Sequence, residues 1–325
     1  HSDFNQPIGN WDVSNVTSMS NMFLQAYGFN QPIGDWDVSN VTNMGRMFDN
    51  TSSTSKMSFD QDIGSWDVGN VTNFREFMRS YQGSQPQPFT NGGSPSITGW
   101  DTSSATSMYH MFYRCTGFNQ PIGNWDTSKV TDMSQMLYGC NSFNQDLGGW
   151  DVTGVTNLSS FFAYNPVFNN GGSTGINNWR TSSCTNMSSM FLQAYGFNQP
   201  IGDWDVSNVT NMGRMFDNTS STSKMSFDQD IGSWDVGNVT NFREFMRSYQ
   251  GSQPQPFTNG GSPSIGDWDT SSATTIFHMF YRCTGFDQSL SGWNVSNVTS
   301  ANSFMYGCTL STTNYDSTLG GWSSQ

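Results

Sequence analysis

Residues 4–17 read FNQPIGNWDVSNVT, and residues 29–42 repeat this phrase with one change. Altered copies follow along almost the whole chain of 325 residues. The tryptophan of the phrase stands at positions 11, 36, 66, 100, 125, 150, 179, 204, 234, 268, 293 and 322, so that successive copies are 25 to 34 residues apart. A period in this range is the signature of a repeat protein, in which each unit packs only on its neighbours. Repetition therefore overrides the two domains that the length alone suggests.

A longer repetition and four inserts organise the copies. Residues 22–97 are identical to residues 190–265, an offset of 168 residues that equals six tryptophan steps. The longer steps carry segments rich in Gly, Pro and Ser, which predict surface loops. These inserts lie near residues 49–58, 80–96, 217–226 and 248–264. We therefore predict a single solenoid over residues 1–325, containing a duplicated block of six turns.

Two apolar patterns predict the local structure of one copy. In WDVS the side chains alternate, so a short strand would point Trp11 and Val13 inward and Asp12 outward. The apolar residues in the segment 19–23, MSNMF, have the three- and four-residue spacing of one helical face. Thr17 then becomes a candidate N-cap, whose hydroxyl accepts a hydrogen bond from the first helical turn. Each turn is thus predicted to hold one short parallel β-strand and one short helix.

The repeated phrases also resemble a known family. The segments 143–162, FNQDLGGWDVTGVTNLSSFF, and 36–48, WDVSNVTNMGRMF, are similar to the BspA-like bacterial-surface-protein repeats, a branch of the leucine-rich repeats. Arg180 and Asn294 depart from the pattern, because they stand where Asp follows the other tryptophans. The resemblance implies a leucine-rich-repeat-like solenoid of roughly twelve turns of about 25 residues. It also implies an extracellular or cell-surface location and a role in adhesion.

Composition excludes several classes of function. The net charge is −13 and the 12 Lys and Arg residues are scattered, whereas nucleic-acid binding needs a basic stripe. No apolar run approaches the roughly 20 residues of a membrane span, so we expect no membrane insertion. The three histidines have no nucleophile or metal-ligand spacing beside them, and we expect no enzyme activity. The chain starts inside a repeat without a leader peptide, as expected of a mature product or a segment.

Nine aspartates follow the tryptophans and form the most regular charged feature of the chain. If all point outward, neighbouring carboxylates repel one another, and calcium or another hard cation would offset that repulsion. Arg180 offers a built-in countercharge for one gap. Alternatively, each carboxylate accepts hydrogen bonds within its own turn. The nine candidate metal ligands are Asp12, Asp37, Asp67, Asp101, Asp126, Asp151, Asp205, Asp235 and Asp269.

The cysteines suggest two disulfides. Cys115 and Cys140 stand fifteen residues after their tryptophans in consecutive copies, and Cys283 and Cys308 repeat that arrangement. Stacked turns would bring each pair within the range of a disulfide, which would indicate an oxidising compartment. The alternative is that each pair consists of buried thiols. Cys184 replaces an inward valine and is predicted to be a core thiol.

Two asparagines are predicted glycosylation acceptors. Asn50 and Asn218 begin NTS sequons inside inserts, where a loop would expose them. Six further sequons, at Asn15, Asn40, Asn70, Asn208, Asn238 and Asn297, follow from the repeated NVT itself and need no glycan to explain them.

These features lead us to expect an extracellular structural or adhesive protein. The leading hypothesis is a subunit of a filament or surface layer that assembles with itself, since no capping segment is recognisable at either end. The first alternative is a carbohydrate- or receptor-binding adhesin module that uses the inserts, whose phrase SYQGSQPQPF starts at Ser80 and Ser248. The second alternative is a mineral- or ice-binding surface. Against ice, Thr17, Thr42 and Thr72 are assigned to helix caps.

Overall fold

The computed structural model describes residues 2–52, 54–80, 86–249 and 254–325. Successive copies of the repeat stack on one another, each joined to the next by a parallel β-bridge seven residues after its tryptophan. These bridges form one unbroken column through Ser18, Asn43, Asn73, Ser107, Asp132, Asn157, Asn186, Asn211, Asn241, Thr275 and Ser300. The copies are therefore in register, and the inserts are accommodated without shifting it.

The predicted strand in each turn is wrong, because the described part of the chain contains isolated bridges and no strand. The segment around Trp36 shows why. The Trp36 amide donates to the Ile33 carbonyl (3.2 Å) and the Val41 amide to the Val38 carbonyl (2.8 Å), closing two tight turns. The Ser39 amide donates to the Asp37 side chain. With these amides directed within the turn, no ladder forms along the segment.

The predicted short helix in each turn is wrong as well. Asn21, in the middle of the segment, has φ +60°, which a right-handed helix does not accommodate. The backbone amides alternate instead: that of Met22 donates to the Met19 carbonyl (3.1 Å), whereas that of Phe23 donates to Met47 of the next repeat (2.9 Å). Ten equivalent residues share the positive φ, namely Arg46, Glu76, His110, Gln135, Ser160, Ser189, Arg214, Glu244, His278 and Ser303. The leucine-rich-repeat-like solenoid of strands and helices is thus replaced by a stack of irregular coils.

Thr17 is not a helix cap but the first member of an exposed column. The amide of Thr42 donates to the Thr17 carbonyl (2.9 Å) and so does its hydroxyl (3.2 Å). The same hydrogen bond, from a threonine hydroxyl to the carbonyl of the preceding threonine, links every following pair. Each threonine therefore ties its repeat to the one before it. The threonine column comprises Thr17, Thr42, Thr72, Thr106, Thr131, Thr156, Thr185, Thr210, Thr240, Thr274 and Thr299, all exposed.

Five helical segments were not predicted. Four are 3-10 helices, at Pro95–Gly99, Asn170–Gly172, Thr174–Asn178 and Ser264–Asp267. The fifth is an α-helix, α1, at Thr312–Trp322. None of the helices in the described ranges is long and apolar enough to cross a membrane.

Helix α1 covers the C-terminal end of the stack. The hydroxyl of Ser311 caps it by accepting from the Asn314 amide, and the Trp322 ring lies 5.5 Å from that of Phe304. The Trp322 indole N–H donates to the Leu290 carbonyl (2.9 Å) of the repeat beneath. The expectation that the chain lacks a capping segment is therefore wrong at this end.

The core is built of columns of aromatic side chains. The predicted inward direction of Trp and Val is confirmed: Trp36 and Val38 are buried, and the Trp36 indole N–H donates to the Ile8 carbonyl of the preceding repeat (3.1 Å). Trp11, in the first repeat, is the exception at 52% exposed. Phenylalanines from adjacent segments stack face to face, as Phe23 does on Phe29 with ring centres 4.0 Å apart. Each buried indole thus satisfies its one donor, as buried tryptophan requires.

Candidate functional site

The nine aspartates of the predicted metal site each accept hydrogen bonds within their own turn. At Asp12 one carboxylate oxygen accepts from both the amide (3.1 Å) and the hydroxyl (2.6 Å) of Ser14. All nine side chains are exposed and accept from the amide two residues further on. The alternative interpretation, in which the carboxylates shape their turns, is thus confirmed.

The electrostatics of the aspartates agree with this role. Hydrogen bonds from Ser39 lower the pKa of Asp37, while the charge of Asp12 opposes that lowering, as expected of neighbouring carboxylates. Hydrogen bonds from Thr153 lower the pKa of Asp151, and the nearby charge of Arg180 adds to the effect. Within the described ranges no three acidic, histidine or cysteine side chains are grouped to hold a metal ion. Calcium binding therefore stays a prediction.

The cysteines are free thiols, and the two predicted disulfides are not present. The Cys115 thiol donates to the Met78 carbonyl (3.1 Å) and the Cys140 thiol to the Phe112 carbonyl (3.0 Å), each in the preceding repeat. Cys283 and Cys308 make the equivalent bonds. Burial raises the pKa of the Cys115 thiol, and the neighbouring Cys140 adds to the rise. Each of these four thiols is thus hydrogen-bonded to a neighbouring repeat rather than joined to another cysteine. Cys184 is a buried core thiol, as predicted.

Asn50 and Asn218, the predicted glycosylation acceptors, are fully buried. The Asn50 amide nitrogen donates to the Ser55 carbonyl (2.6 Å), and its oxygen accepts from the Ser52 amide (2.9 Å). The side chain therefore shapes the insert from inside and has no free amide to carry a glycan. The expected exposure of these two loop residues is wrong, whereas their glycosylation stays a prediction.

A buried ion cluster escaped the sequence analysis. Asp49, which has no exposed surface, accepts two hydrogen bonds from Arg79 (2.8 and 2.9 Å) and one from Arg46 (2.8 Å). Glu76 lies within 3.4 Å of both arginines. The duplicated block repeats the cluster around Asp217, Glu244, Arg214 and Arg247. One signal was available, since the only two glutamates of the chain each follow an arginine directly.

His110 is a buried base with no hydrogen bond of good geometry on either ring nitrogen, although the nearby Gln135 side chain partly offsets the fall of its pKa. Its ring lies 3.7 Å from that of Tyr109 and 4.8 Å from that of Tyr113. Burial lowers its pKa to about 4, and the charges of Arg79 and Arg75 add to the shift. The side chain is therefore neutral near pH 7 and contributes packing rather than acid–base chemistry.

A groove is lined by residues of five consecutive repeats, from Pro86 to Tyr195. Tyr138, Tyr164 and Tyr195 contribute one aromatic side chain from each of the last three repeats, and the cavity has a volume of about 450 Å³. We call this feature the tyrosine groove. Its lining is completed by Pro86, Arg114, Thr116, Gly139, Asn141, Pro166 and Gln193. No carboxylate is among these residues, although the chain as a whole is acidic.

The aromatic wall of the tyrosine groove is held by stacking. The Tyr138 ring lies 4.5 Å from the buried Tyr113 ring, nearly parallel to it, and 5.0 Å from the Tyr164 ring, tilted by 49°. Burial raises the pKa of Tyr138, and the two neighbouring tyrosines add to the rise. The phenol thus stays protonated and offers both a donor and an acceptor.

The polar groups of the groove are oriented by bonds within the protein. The Gln193 amide nitrogen donates to the Thr219 hydroxyl. The Asn141 amide nitrogen donates to the carbonyls of Gly139 (3.0 Å) and Tyr164 (3.1 Å). The Thr116 hydroxyl donates to the Gln87 carbonyl (3.3 Å). These side chains are therefore pre-oriented before any ligand arrives.

The tyrosine groove occurs where the two copies of the 168-residue unit meet. Tyr27 has the same sequence neighbours as Tyr195, because both lie in the identical blocks, yet it lies outside the groove. Tyr306 is the counterpart of Tyr138, is 61% exposed and is not among the residues that line the groove. Residues from five separate repeats form the groove, so no local motif marked it.

The stacked copies and their shared columns define a tandem-repeat protein. The chain matches the family model described as "Mycoplasma protein of unknown function, DUF285" at residues 1–91, 86–174, 167–255 and 222–322. Because these matches span nearly the whole sequence, the chain belongs to that family. No curated protein matches it.

Proposed function

We propose that the chain is an adhesive repeat protein of the BspA-like type, located outside the cell or on its surface, which binds its partner in the tyrosine groove. The observation that carries this proposal is the groove itself. It is concave, and its lining combines three tyrosines and two prolines with a few oriented polar groups, as ligand sites do. Tyrosine suits this role because its ring buries a large area while its hydroxyl stays wet.

The groove also favours the hypothesis of an adhesin module over that of a self-assembling filament subunit. Pro86 belongs to the insert 80–96, so an insert takes part in the groove as the adhesin hypothesis requires. Assembly through both ends of the stack, in contrast, is opposed by α1, which covers the C-terminal end. Self-assembly through the faces stays a prediction.

The proposal is tested by adhesion of protein-coated beads to epithelial cells and to cells of the source organism. Tyr195→Ala removes an aromatic anchor, and a loss of about 2 kcal/mol, or roughly thirtyfold in affinity, is expected of such a residue. Tyr27→Ala is the matched control, since it makes the same change in an identical sequence outside the groove. Equal adhesion by the two variants, or no adhesion by the unaltered protein, would overturn the proposal.

The proposed location has its own test. Labelling of intact source cells with a membrane-impermeant biotin reagent is expected to modify the protein, whereas an intracellular control protein stays unlabelled. Labelling only after lysis contradicts a surface location.

The threonine column favours a second candidate function, binding to an ordered surface such as ice. Eleven exposed hydroxyls lie in one file. Their spacing is about 4.8 Å, the distance between paired chains. The objection that these threonines cap helices no longer applies. Inhibition of ice recrystallisation, lost on changing Thr131, Thr156 and Thr185 together to lysine, supports this function, and no inhibition by the unaltered protein rejects it.

A further inference from the structure

The tyrosine groove combines hydrogen-bond donors and acceptors. Its three phenols each donate and accept, and the Arg114 guanidinium is a donor group. The Gln193 amide gives one of its two N–H groups to Thr219, and its oxygen is an acceptor. The Thr116 hydroxyl hydrogen is committed to the Gln87 carbonyl, which leaves its oxygen to accept. A ligand rich in hydroxyl groups, which both donate and accept, fits this mixture.

The remaining lining selects for ligands with an apolar face. Tyr138, Tyr164 and Tyr195 supply aromatic surface, and their phenols accept or donate hydrogen bonds at its edge. From this geometry we infer that the tyrosine groove binds an oligosaccharide, whose C–H faces pack on the tyrosines while its hydroxyls form hydrogen bonds with the polar side chains of the groove. The inference rests on the proposed function and names the chemical class of its ligand.

The main competing occupant is a proline-rich peptide, which lacks amide donors at its prolines and presents backbone carbonyls. Its few donors would leave the acceptor oxygens of Thr116 and Gln193 unmatched. A single acidic group on the saccharide is compatible with the site, since Arg114 brings a positive charge and no carboxylate lines the groove.

The size of the groove fits more than one sugar ring. The three tyrosines come from three stacked repeats, and the first two ring centres alone are 5.0 Å apart. The volume of about 450 Å³ lies within the range of small-molecule sites. The preferred ligand is therefore a chain of two or more sugars lying along the stack.

The test is an array of immobilised oligosaccharides of hexoses and N-acetylhexosamines, followed by calorimetry with the best-bound one. A proline-rich decapeptide is measured alongside. Tyr195→Ala and Gln193→Met are expected to weaken oligosaccharide binding at least tenfold. The matched variants Tyr27→Ala and Gln25→Met should bind as the unaltered protein does. Gln25 donates to Thr51 as Gln193 does to Thr219, so Gln25→Met loses the same internal bond as Gln193→Met.

Three outcomes overturn the inference: no oligosaccharide binds, binding is insensitive to Tyr195→Ala, or the decapeptide binds in a Tyr195-dependent way and the sugars do not. Bead adhesion separates this failure from that of the proposed function. Adhesion that needs Tyr195 but resists competition by the free oligosaccharides preserves the function and rejects the saccharide. Oligosaccharide binding without cell adhesion supports the saccharide and rejects the adhesive role.

Discussion

Arg247 and Asp217, thirty residues apart, form a buried ion pair with two parallel hydrogen bonds of 2.8 Å each. They lie in adjacent repeats, and Asp217 has no exposed surface. Burial raises the pKa of Asp217, and the charges and hydrogen bonds of Arg247 and Arg214 act against that rise. The two arginines thus compensate the Asp217 carboxylate for the hydration that it loses on burial.

Arg247→Met is expected to destabilise the chain by about 3–5 kcal/mol, because it leaves a buried charge short of its main partner. Arg243→Met is the control, since the Arg243 side chain is 57% exposed and should cost no more than about 1 kcal/mol. Urea unfolding followed by tryptophan fluorescence measures both. Equal costs for the two variants would contradict the pairing.

The loss of unfolding free energy at low pH should depend on the aspartates that follow the tryptophans. Hydrogen bonds from Ser128 hold the pKa of Asp126 below its ordinary value of 3.8, so the unfolded chain binds the proton first. Stability from this group is present above pH 4 and is lost as the pH falls through the folded pKa.

Asn294 shows how to test this, because it accepts the same two bonds from Ser296 (3.0 and 2.7 Å) without a charge. Asp126→Asn and Asp205→Asn together should keep the turns at pH 7 and reduce the loss of stability below pH 4. Unfolding free energies at pH 7, 4, 3 and 2 give the slope. An unchanged slope would show that the carboxylates are not held in these turns.

A second pH effect should appear at higher pH. Since the pKa of His110 falls from 6.5 to about 4 on folding, the unfolded chain binds this proton more readily. Stability is complete above pH 6.5 and declines toward pH 4, by at most about 3 kcal/mol. His110→Asn removes the titration and tolerates the positive φ. Plots of unfolding free energy against pH for the unaltered protein and the variant should differ in slope only between pH 4 and 6.5. Parallel plots would contradict a buried, neutral His110.

The cysteines should titrate as thiols. In guanidinium chloride without reductant, a thiol reagent is expected to detect all five, as the structure has no disulfide. In native buffer the buried, high-pKa Cys115 and Cys140 should react slowly. A count of one thiol in denaturant would instead show that both predicted disulfides form.

The phase of the repeat was predictable, but its backbone was not. The alternation of Trp36, Asp37 and Val38 correctly assigns each side chain to the core or the surface. The same alternation suggested a strand, because side-chain direction does not reveal where the amides donate. The left-handed residue that prevents a helix is Asn, Arg, Glu, His, Gln or Ser in different repeats, so no glycine marked it.

Neither helix α1 nor the tyrosine groove could be predicted from the sequence, for related reasons. Helix α1 contains Gly320 and Gly321, which lower helix propensity, and is held by packing of Trp322 on the last repeat. The tyrosine groove joins Tyr138 to Tyr195 across three repeats, and only the stacking register brings them together. Contacts between repeats, rather than patterns within one, decide both features.

The position of the groove at the seam between the two duplicated units links chain length to valency. Tyr138 and Tyr164 come from the first unit and Tyr195 from the second. A gene that gained a third unit would lengthen the stack by about 29 Å, at about 4.8 Å for each of six repeats. It would also create a second seam, and tyrosines at the places of Tyr138 and Tyr164 there would form a second groove on the same face.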